Sequence, residues 1–260
     1  MTEAEFVETP ALAGLTGLRH GFFTRRGGVS EGPWAALNCA LSGQDDRDRV
    51  RENRRRAAAA LGCTREDLFG LTQVHGIAVA EVTEGWAEGQ GPAADGLVTR
   101  RAGIALGIIT ADCAPVLFAD AEAGVIGACH AGWRGAVAGV MEATCAAMQA
   151  LGARPERIHA AIGPCIGQPS YEVGPDLRDA VLAQSPAAAR FFGPGQREDR
   201  WQFDLPGYCA ARLGGLGLGV VEVSGLDTLA EETRFFSHRR RTLAGGGPIG
   251  HQLSAIAIAS

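Results

Sequence analysis

The sequence predicts an α/β fold in which helices pack on a mixed β-sheet. Short apolar runs with β-branched residues, such as residues 104–109, are typical of buried strands. Longer segments carry apolar residues at helical spacing, as at Val137, Val140 and Met141. No low-complexity linker or internal repeat divides the chain. We therefore predict a single domain over residues 1–260, with helices on the sheet and long functional loops.

Apolar patterning, capping residues and glycine punctuation predict the elements in order. The predicted strands span residues 18–23, 68–82 as two short strands, 97–129 as a series, 157–162, 201–204, 220–223 and 253–259. The predicted helices span residues 46–61, 134–151, 175–184 and 205–213. In the first helix, Asp45 or Asp46 can cap the N-terminus and Gly62 ends the helix. Glu52 and Arg56 lie one turn apart and can pair.

Composition and charge exclude several classes of function. The 260 residues carry a formal net charge of −5, so broad, salt-driven binding of nucleic acid is not expected. No apolar run approaches the about 20 residues that a membrane span requires. The N-terminus has early acidic residues and no apolar core of a signal peptide. The seven cysteines are widely spaced and odd in number, which predicts a cytoplasmic chain with reduced thiols.

Three predicted strand ends each present a side chain that can bind a metal. Cys113 follows the apolar run at 104–109, His130 follows the run at 125–129, and His75 follows a third run. The spacings of 38 and 17 residues are too long for a zinc-finger knuckle. They suit a site that is assembled from distant strand ends. A thiolate with two imidazoles suits Zn²⁺, and three protein ligands are typical of catalytic zinc sites.

The same side chains support a second interpretation. Cys113 could act as a thiolate nucleophile with His130 or His75 as its base, as in a Cys-His hydrolase or deamidase. Spacing does not separate these two hypotheses. Strand alternation predicts that Cys129 points to the opposite face from His130. Asp112, beside the thiol, is a candidate to orient a ligand or to act as a base, and a plain turn residue is the equal alternative.

Other motifs of nucleotide chemistry are absent from the sequence. Neither the zinc-deaminase signature nor a P-loop occurs. Residues 245–250 match Gly-x-Gly-x-x-Gly by letter, but Pro248 intrudes and no helix follows, so we reject a dinucleotide site.

In its assembled motifs the chain resembles the YfiH-like family, also called multicopper polyphenol oxidoreductase or laccase-domain proteins and purine nucleoside phosphorylases, to which human FAMIN belongs. The motifs span nearly the whole chain in order. They are His20-Gly-Phe-Phe-Thr-Arg-Arg-Gly-Gly-Val-Ser30, Glu52-Asn-Arg54, Gln73-Val-His-Gly76, Ala94-Asp-Gly96, Thr110-Ala-Asp-Cys113 with Pro115, His130-Ala-Gly-Trp-Arg-Gly135, Gly163-Pro-Cys-Ile-Gly167, Tyr171-Glu-Val173 and Arg234-Phe-Phe-Ser-His-Arg-Arg240. Together they are highly specific, although most are weak singly.

The resemblance implies a single-domain α/β sandwich, shared with cytotoxic necrotising factor-type deamidases. It implies a cytoplasmic enzyme whose zinc ligands are His75, Cys113 and His130. The implied activity is phosphorolysis of adenosine, inosine, guanosine and S-methyl-5′-thioadenosine, with adenosine deamination. The implied partners are a purine nucleoside and phosphate. A bacterial branch is linked to editing of peptidoglycan precursors, which remains an alternative.

Within that resemblance, further residues are candidates for substrate binding. Arg26, Arg54 and Arg134 are candidate phosphate donors, since Arg134 lies where a Gly-rich turn leads into a helix. Asn38 and Gln73 are candidate polar contacts to substrate. A copper polyphenol oxidase fits less well, because three ligands of this kind do not form a multicopper set. A non-catalytic zinc-binding protein is a further alternative.

The chain departs from the family pattern near its C-terminal end. Asp227 stands where the family usually has Cys, His238 where it has Tyr, and Pro248 where it has Arg. None of the three is a proposed metal ligand, so the departures bear on substrate specificity and on the oligomeric state, which the sequence leaves open, rather than on the metal.

Overall fold

The computed structural model describes residues 3–259, and within them it contains fourteen strands and seven α-helices. The strands are β1 (Phe6–Val7), β2 (Leu18–Phe23), β3 (Leu68–Phe69), β4 (Val79–Glu81), β5 (Gly96–Thr99), β6 (Ala105–Thr110), β7 (Ala114–Asp120), β8 (Val125–Ala131), β9 (His159–Ile162), β10 (Glu172–Val173), β11 (Phe192–Pro194), β12 (Trp201–Phe203), β13 (Val220–Val223) and β14 (Gln252–Ile258). The helices are α1 (Pro10–Ala13), α2 (Arg47–Ala60), α3 (Trp133–Ala138), α4 (Val140–Ala150), α5 (Pro175–Gln184), α6 (Leu205–Gly214) and α7 (His238–Leu243). No helix among residues 3–259 is long and apolar enough to cross a membrane.

Two large sheets and one small sheet organise the strands. The five-stranded sheet has the order β1-β2-β14-β6-β3, and the six-stranded sheet has the order β13-β9-β7-β8-β5-β4. Strands β10, β12 and β11 form the small sheet. Both large sheets mix parallel and antiparallel pairs; for example, β13 runs parallel to β9, and β7 runs antiparallel to β8. The predicted mixed-sheet α/β fold is confirmed.

The two large sheets pack face to face, with helices on their outer faces. Phe22 and Ile108 of the five-stranded sheet share one buried core with Leu117 and Ile126 of the six-stranded sheet. Helix α2 covers the outer face of the five-stranded sheet. Helices α3 to α6 cover the outer face of the six-stranded sheet. This is a four-layer α/β sandwich, and each large apolar side chain that it fully buries stabilises it by about 1.5–3 kcal/mol.

Local sequence signals explain where α2 begins and where α3 gives way to α4. The carboxylate of Asp46 caps α2 by accepting hydrogen bonds from the backbone nitrogens of Asp48 and Arg49. The helix predicted over residues 134–151 is wrong as one element, because it is broken at Gly139. That glycine has φ of 106°, a left-handed conformation that ends α3 and starts α4.

Candidate metal centre

The side chains of His75, Cys113 and His130 meet at one place in the molecule. One potential ligand atom of each lies within 4.8 Å of the others. The Cys113 Sγ is 4.0 Å from the His75 Nε2, and the two imidazole rings contact edge to face with centroids 4.6 Å apart. His130 is buried, whereas His75 is exposed. The predicted convergence of two imidazoles and one thiol is therefore present.

The strand register brings Cys113 and His130 together. Cys113 lies in the short turn between β6 and β7, and His130 is the penultimate residue of β8. In the antiparallel pair of β7 with β8, Pro115 lies opposite His130, which places the turn beside the histidine. As alternation predicts, Cys129 points the other way and packs in the core beneath the helices.

His75 comes from an irregular loop between β3 and β4, and Asp95 fixes that loop. The backbone of His75 has φ of 60°, a left-handed conformation that is uncommon for a residue with a side chain. The Asp95 carboxylate accepts hydrogen bonds from the backbone nitrogens of Val74 at 3.2 Å, His75 at 3.0 Å and Gly76 at 2.6 Å. This fully buried carboxylate replaces the regular backbone bonds that the loop lacks.

Asp95 also orients His130. Its Oδ1 lies 2.8 Å from the His130 Nδ1, and its backbone oxygen accepts from the His130 nitrogen at 2.8 Å. A histidine that binds a metal through one ring nitrogen commonly donates the other to a carboxylate in this way. The contact leaves the Nε2 of His130 to face Cys113. Burial would raise the pKa of Asp95, but the hydrogen bond and charge of His130, together with the backbone hydrogen bonds from Gly76 and Val74, lower it.

The charges of the cluster favour a thiolate. Burial would raise the pKa of Cys113, but the positive charge and hydrogen bond of His130, together with His75, lower it to about 6. Burial would lower the pKa of His130, but the Cys113 sulfur and Asp95 raise it to about 9. The neighbouring imidazoles thus favour the thiolate form of Cys113, which is the form that binds metal ions and attacks electrophiles.

The donor set fits a zinc ion. Tetrahedral Zn–N and Zn–S bonds place neighbouring ligand atoms about 3.5 Å apart. The separation of 4.0 Å between the Cys113 Sγ and the His75 Nε2 needs only a small movement to reach that value. His75 is exposed and able to make it. Soft sulfur with two imidazoles is also the chemistry that zinc prefers over magnesium or calcium.

Asp112, which precedes Cys113, binds the C-terminal segment rather than the imidazoles. Its Oδ1 accepts from the Thr228 hydroxyl at 2.7 Å. Its Oδ2 accepts from the Ser237 hydroxyl at 3.0 Å and from the Arg239 backbone nitrogen at 2.6 Å. The backbone of Asp112 has φ of 87°, which aspartate tolerates better than most residues. The carboxylate therefore clamps residues 228–239 beside the turn that carries Cys113.

The chain matches, over residues 19–259, the family described as multi-copper polyphenol oxidoreductase laccase. The chain belongs to this family. A Deinococcus radiodurans protein named purine nucleoside phosphorylase is 49% identical over 222 residues, which cover 85% of this chain and 83% of that protein. A Streptomyces griseus protein named purine nucleoside phosphorylase ORF3 is 42% identical over 238 residues, covering 90% and 94%.

A solved structure supports the same assignment. The Bacillus licheniformis hypothetical protein YfiH has a TM-score of 0.89 and 30% identity to this chain, and the match covers 99% of this chain and 97% of that one. The predicted membership of the YfiH-like family is confirmed, and so is the fold class.

In this YfiH-like protein, the two amides predicted to contact substrate bond to the chain itself. The Gln73 side chain donates to the backbone oxygen of Ile109 at 2.8 Å and accepts from its nitrogen at 2.9 Å. Buried Asn38 donates to Asp45 at 2.9 Å and accepts from the backbone nitrogen of His251 at 2.9 Å. Both amides thus brace loops of the chain, and a direct contact of either with substrate stays a prediction.

The three arginines predicted to bind phosphate lie in different environments. Arg54 is buried in α2, where it donates to the backbone oxygens of Cys39 and Leu68. Arg26 donates to Thr233 and pairs with Glu5 beside an open surface cavity of about 770 Å³. Arg134 is exposed at the start of α3, four residues after His130, with its guanidinium 4.4 Å from the centroid of the Trp133 ring.

Sequence reasoning assigned no role to two residues at this site, Asp95 and Arg239. Asp95 lies in the quoted Ala94-Asp-Gly96 motif, but its partner becomes visible only from the pairing of Gly96 with Cys129 across β5 and β8. Arg239 lies in a run of three arginines, which by itself resembles a solvated surface.

Proposed function

We propose that the chain is a zinc-dependent purine nucleoside phosphorylase, acting on adenosine, inosine, guanosine and S-methyl-5′-thioadenosine, with adenosine deaminase activity. The observation that carries this proposal is the cluster of His75, Cys113 and His130 within 4.8 Å. It occurs in a chain that is 49% identical to a protein named purine nucleoside phosphorylase. We propose that residues 1–260 act as one such domain and that the protein works in the cytoplasm, without nucleic acid or membrane partners.

In this proposal His75, Cys113 and His130 hold the zinc ion. When bound, zinc supplies Lewis-acid stabilisation of negative charge that develops during the reaction. Asp95 keeps the His130 ring in one tautomer and keeps the His75 loop in place. Asp112 acts as a positioning residue, because three donors already engage its carboxylate.

Phosphorolysis sets the remaining tasks for the chain. A phosphate oxygen forms a bond to the anomeric carbon, the glycosidic C–N bond breaks, and the base leaves with the bonding electrons and takes up a proton. Positive charge develops on the ribose ring, and phosphate brings negative charge that needs fixed donors. Arg134 is our candidate donor from the sequence, since it is exposed and follows His130 by four residues.

Metal analysis tests the zinc proposal. The chain is purified without added metal, and bound elements are measured by mass spectrometry. We expect one zinc per chain in the wild type and loss of zinc in Cys113→Ala. Cys63→Ala is the matched control, because it removes another half-buried free thiol. Full zinc occupancy in Cys113→Ala, or copper in the wild type, contradicts the proposal.

Product analysis tests the activity. The zinc-loaded protein is incubated with each nucleoside, with and without inorganic phosphate. Free base and ribose 1-phosphate that appear only with phosphate indicate phosphorolysis, and inosine formed from adenosine indicates deamination. No product from any of the four nucleosides contradicts the proposed function.

A Cys-His thiol hydrolase or deamidase is a second candidate, which one arrangement favours. The Asp95 carboxylate, the His130 imidazole and the Cys113 thiol form a chain of contacts that resembles an acid–base–nucleophile triad. This candidate predicts turnover that survives metal chelation and is abolished when iodoacetamide alkylates Cys113. Turnover that is lost on chelation and restored by zinc excludes it.

A further inference from the structure

Arg239 is held beside the metal centre by its backbone, which leaves its side chain available. Its backbone nitrogen donates to Asp112, the neighbour of Cys113, at 2.6 Å. Its guanidinium donates to the Glu172 backbone oxygen at 2.8 Å and lies 5.4 Å from the centroid of the Tyr171 ring. One backbone acceptor satisfies only part of the five donors of a guanidinium. The remaining donors are available to an anion.

Arg134 and Arg239 are each tied to the metal centre by the chain. Arg134 is the second residue of α3 and follows His130 by four residues, whereas Arg239 is bonded through its backbone nitrogen to Asp112, the neighbour of Cys113. Burial raises the pKa of Tyr171, and the positive charges of Arg239 and Arg134 oppose that shift. Among residues 3–259, neither Arg134 nor Arg239 has a carboxylate within ion-pair distance, in contrast to Arg26 and Arg54.

Two buried polar atoms nearby have no hydrogen-bond partner. They are the Nε of Arg241 and the Nδ1 of His251. Arg241 lies in α7 with Arg239 and donates to the Nε2 of His238 at 3.3 Å, and His251 precedes Gln252, which pairs with Thr110 just before Asp112. Buried donors and acceptors in native proteins are nearly always satisfied, and an orphan calls for a missing ligand or solvent. The protein by itself therefore leaves these two buried nitrogens, Arg241 Nε and His251 Nδ1, without hydrogen-bond partners.

We propose that Arg239 and Arg134 form the subsite for inorganic phosphate beside the metal centre, with the Tyr171 ring next to Arg239. The inference deepens the proposed function, because it names the residues that hold the anionic co-substrate. Two unpaired guanidinium groups supply fixed positive charge and forked donors that match phosphate oxygens. In this proposal Arg239 takes the place of Arg26 and Arg54 as a phosphate-binding residue, because Arg26 already pairs with Glu5 and Arg54 with Glu88.

Direct titration with inorganic phosphate tests the subsite without any nucleoside. The metal-loaded wild type, Arg239→Gln, Arg134→Gln and Arg239→Lys are compared by isothermal calorimetry at constant chloride. Arg100→Gln is the matched control, since Arg100 is exposed on a loop after β5. The glutamine at residue 239 keeps the backbone bond to Asp112, and zinc content is measured for every variant. If Arg239→Gln loses zinc, Arg239→Lys takes its place in the comparison; if Arg134→Gln loses zinc, the two Arg239 variants carry the test.

We expect each glutamine variant to bind phosphate about tenfold or more weakly, with Arg239→Lys between it and the wild type. Arg100→Gln should bind as the wild type does. In turnover assays the KM for phosphate should rise while the KM for nucleoside stays constant. Unchanged phosphate affinity in both glutamine variants overturns the subsite, and so does a zinc-loaded wild type that binds no phosphate. Absence of nucleoside turnover with intact, arginine-dependent phosphate binding would instead overturn only the proposed function.

Discussion

The Asp95 carboxylate holds both histidines of the metal centre, with its Oδ1 2.8 Å from the His130 Nδ1 and 3.0 Å from the His75 backbone nitrogen. His130 belongs to a buried strand and His75 to an exposed loop. One buried acid therefore joins a rigid ligand to a ligand that would otherwise be free to move. Pre-organisation of this kind strengthens metal binding, because less conformational freedom is lost when the ion enters.

Replacing Asp95 with asparagine should weaken zinc binding by about 10–100-fold. The amide has one acceptor and one donor group, whereas both carboxylate oxygens accept. In either orientation the amide NH₂ meets donors, from His130 and His75 on one side or from Val74 and Gly76 on the other. Competition with a chromophoric zinc chelator measures the affinity.

Asp120→Asn is the matched control for that substitution. Asp120 is also fully buried and accepts from the Arg154 backbone nitrogen and the Arg157 side chain, at the far end of β7 from Cys113. We expect lower stability with unchanged zinc affinity in Asp120→Asn. Equal zinc affinities of the wild type and Asp95→Asn would show that Asp95 does not support the centre.

Gly132→Ala should weaken zinc binding while the fold is kept. Gly132 has φ of −63° and ψ of 159°, which alanine adopts without strain. A Cβ there would lie 2.9 Å from the His75 Cδ2 and 3.1 Å from the Cys113 Sγ. The metal-free protein relieves this overlap by moving exposed His75, so the cost of about 1–3 kcal/mol falls on the metal-bound state.

The control for Gly132→Ala is Gly14→Ala, whose Cβ would meet no atom closer than 3.7 Å. Zinc titration and thermal unfolding of the metal-free proteins separate affinity from stability. We expect similar metal-free stabilities and weaker zinc binding only in Gly132→Ala. A Gly132→Ala protein with wild-type affinity would mean that His75 reaches the ion by another path.

Removing the negative charge of Asp112 should destabilise the protein by about 1–3 kcal/mol. Asparagine tolerates the left-handed backbone at this position, so Asp112→Asn tests the hydrogen bonds rather than strain. Urea unfolding of Asp112→Asn, Ser237→Ala and the double variant gives their coupling energy, which we expect to be about 0.5–3 kcal/mol. If the two substitutions change the free energy of unfolding additively and Asp112→Asn mainly lowers kcat, the result favours a role of Asp112 as a catalytic base instead.

His20 should make the protein less stable as the pH falls below 6.5. Its Nε2 accepts hydrogen bonds from the backbone nitrogen and the hydroxyl of Thr9, at 2.9 Å and 3.1 Å, so the folded protein requires the neutral ring. Burial lowers the pKa of His20 from 6.5 to about 4. The unfolded chain therefore binds the proton first, and stability present above pH 6.5 is lost as the pH falls towards 4.

The expected loss from His20 is about 2 kcal/mol between pH 7.5 and pH 5. Urea unfolding at both pH values is compared for the wild type and His20→Gln, so that the contribution of metal release is common to both. His20→Gln should have a lower free energy of unfolding than the wild type at pH 7.5, and it should lose less of that free energy between pH 7.5 and pH 5. Parallel losses in the two proteins would show that other groups cause the acid sensitivity.

The sequence predicts the metal-binding residues because they follow recognisable apolar runs. Cys113 directly precedes β7 and His130 lies at the end of β8, and the apolar runs of both strands can be found from hydrophobicity alone. Asp95 could not be assigned in the same way, since its role depends on the register between β5 and β8. Which residue of a distant strand lies opposite Gly96 depends on how the two strands pair in the folded sheet, and the residues around Asp95 do not by themselves identify that partner.

The burial of Arg54 follows from helical spacing in the sequence, although the arginine run by itself does not indicate it. Residues Val50, Asn53, Arg54 and Ala57 recur at helical spacing, and all four are buried on the inner face of α2. The helical period of 3.6 residues places Arg54 on the buried face and Arg55 on the exposed face, where Arg55 pairs with Glu52. The composition of the run alone indicates only a charged segment.

Strand β14 has a consequence for synthesis of the protein. Residues 252–258 lie between β2 and β6, which are not paired with each other, so the five-stranded sheet stays open until this strand arrives. On a ribosome, β2 and β6 therefore wait with unpaired edges while more than a hundred further residues are translated. Chaperone binding to those edges would protect the nascent chain from aggregation during that interval.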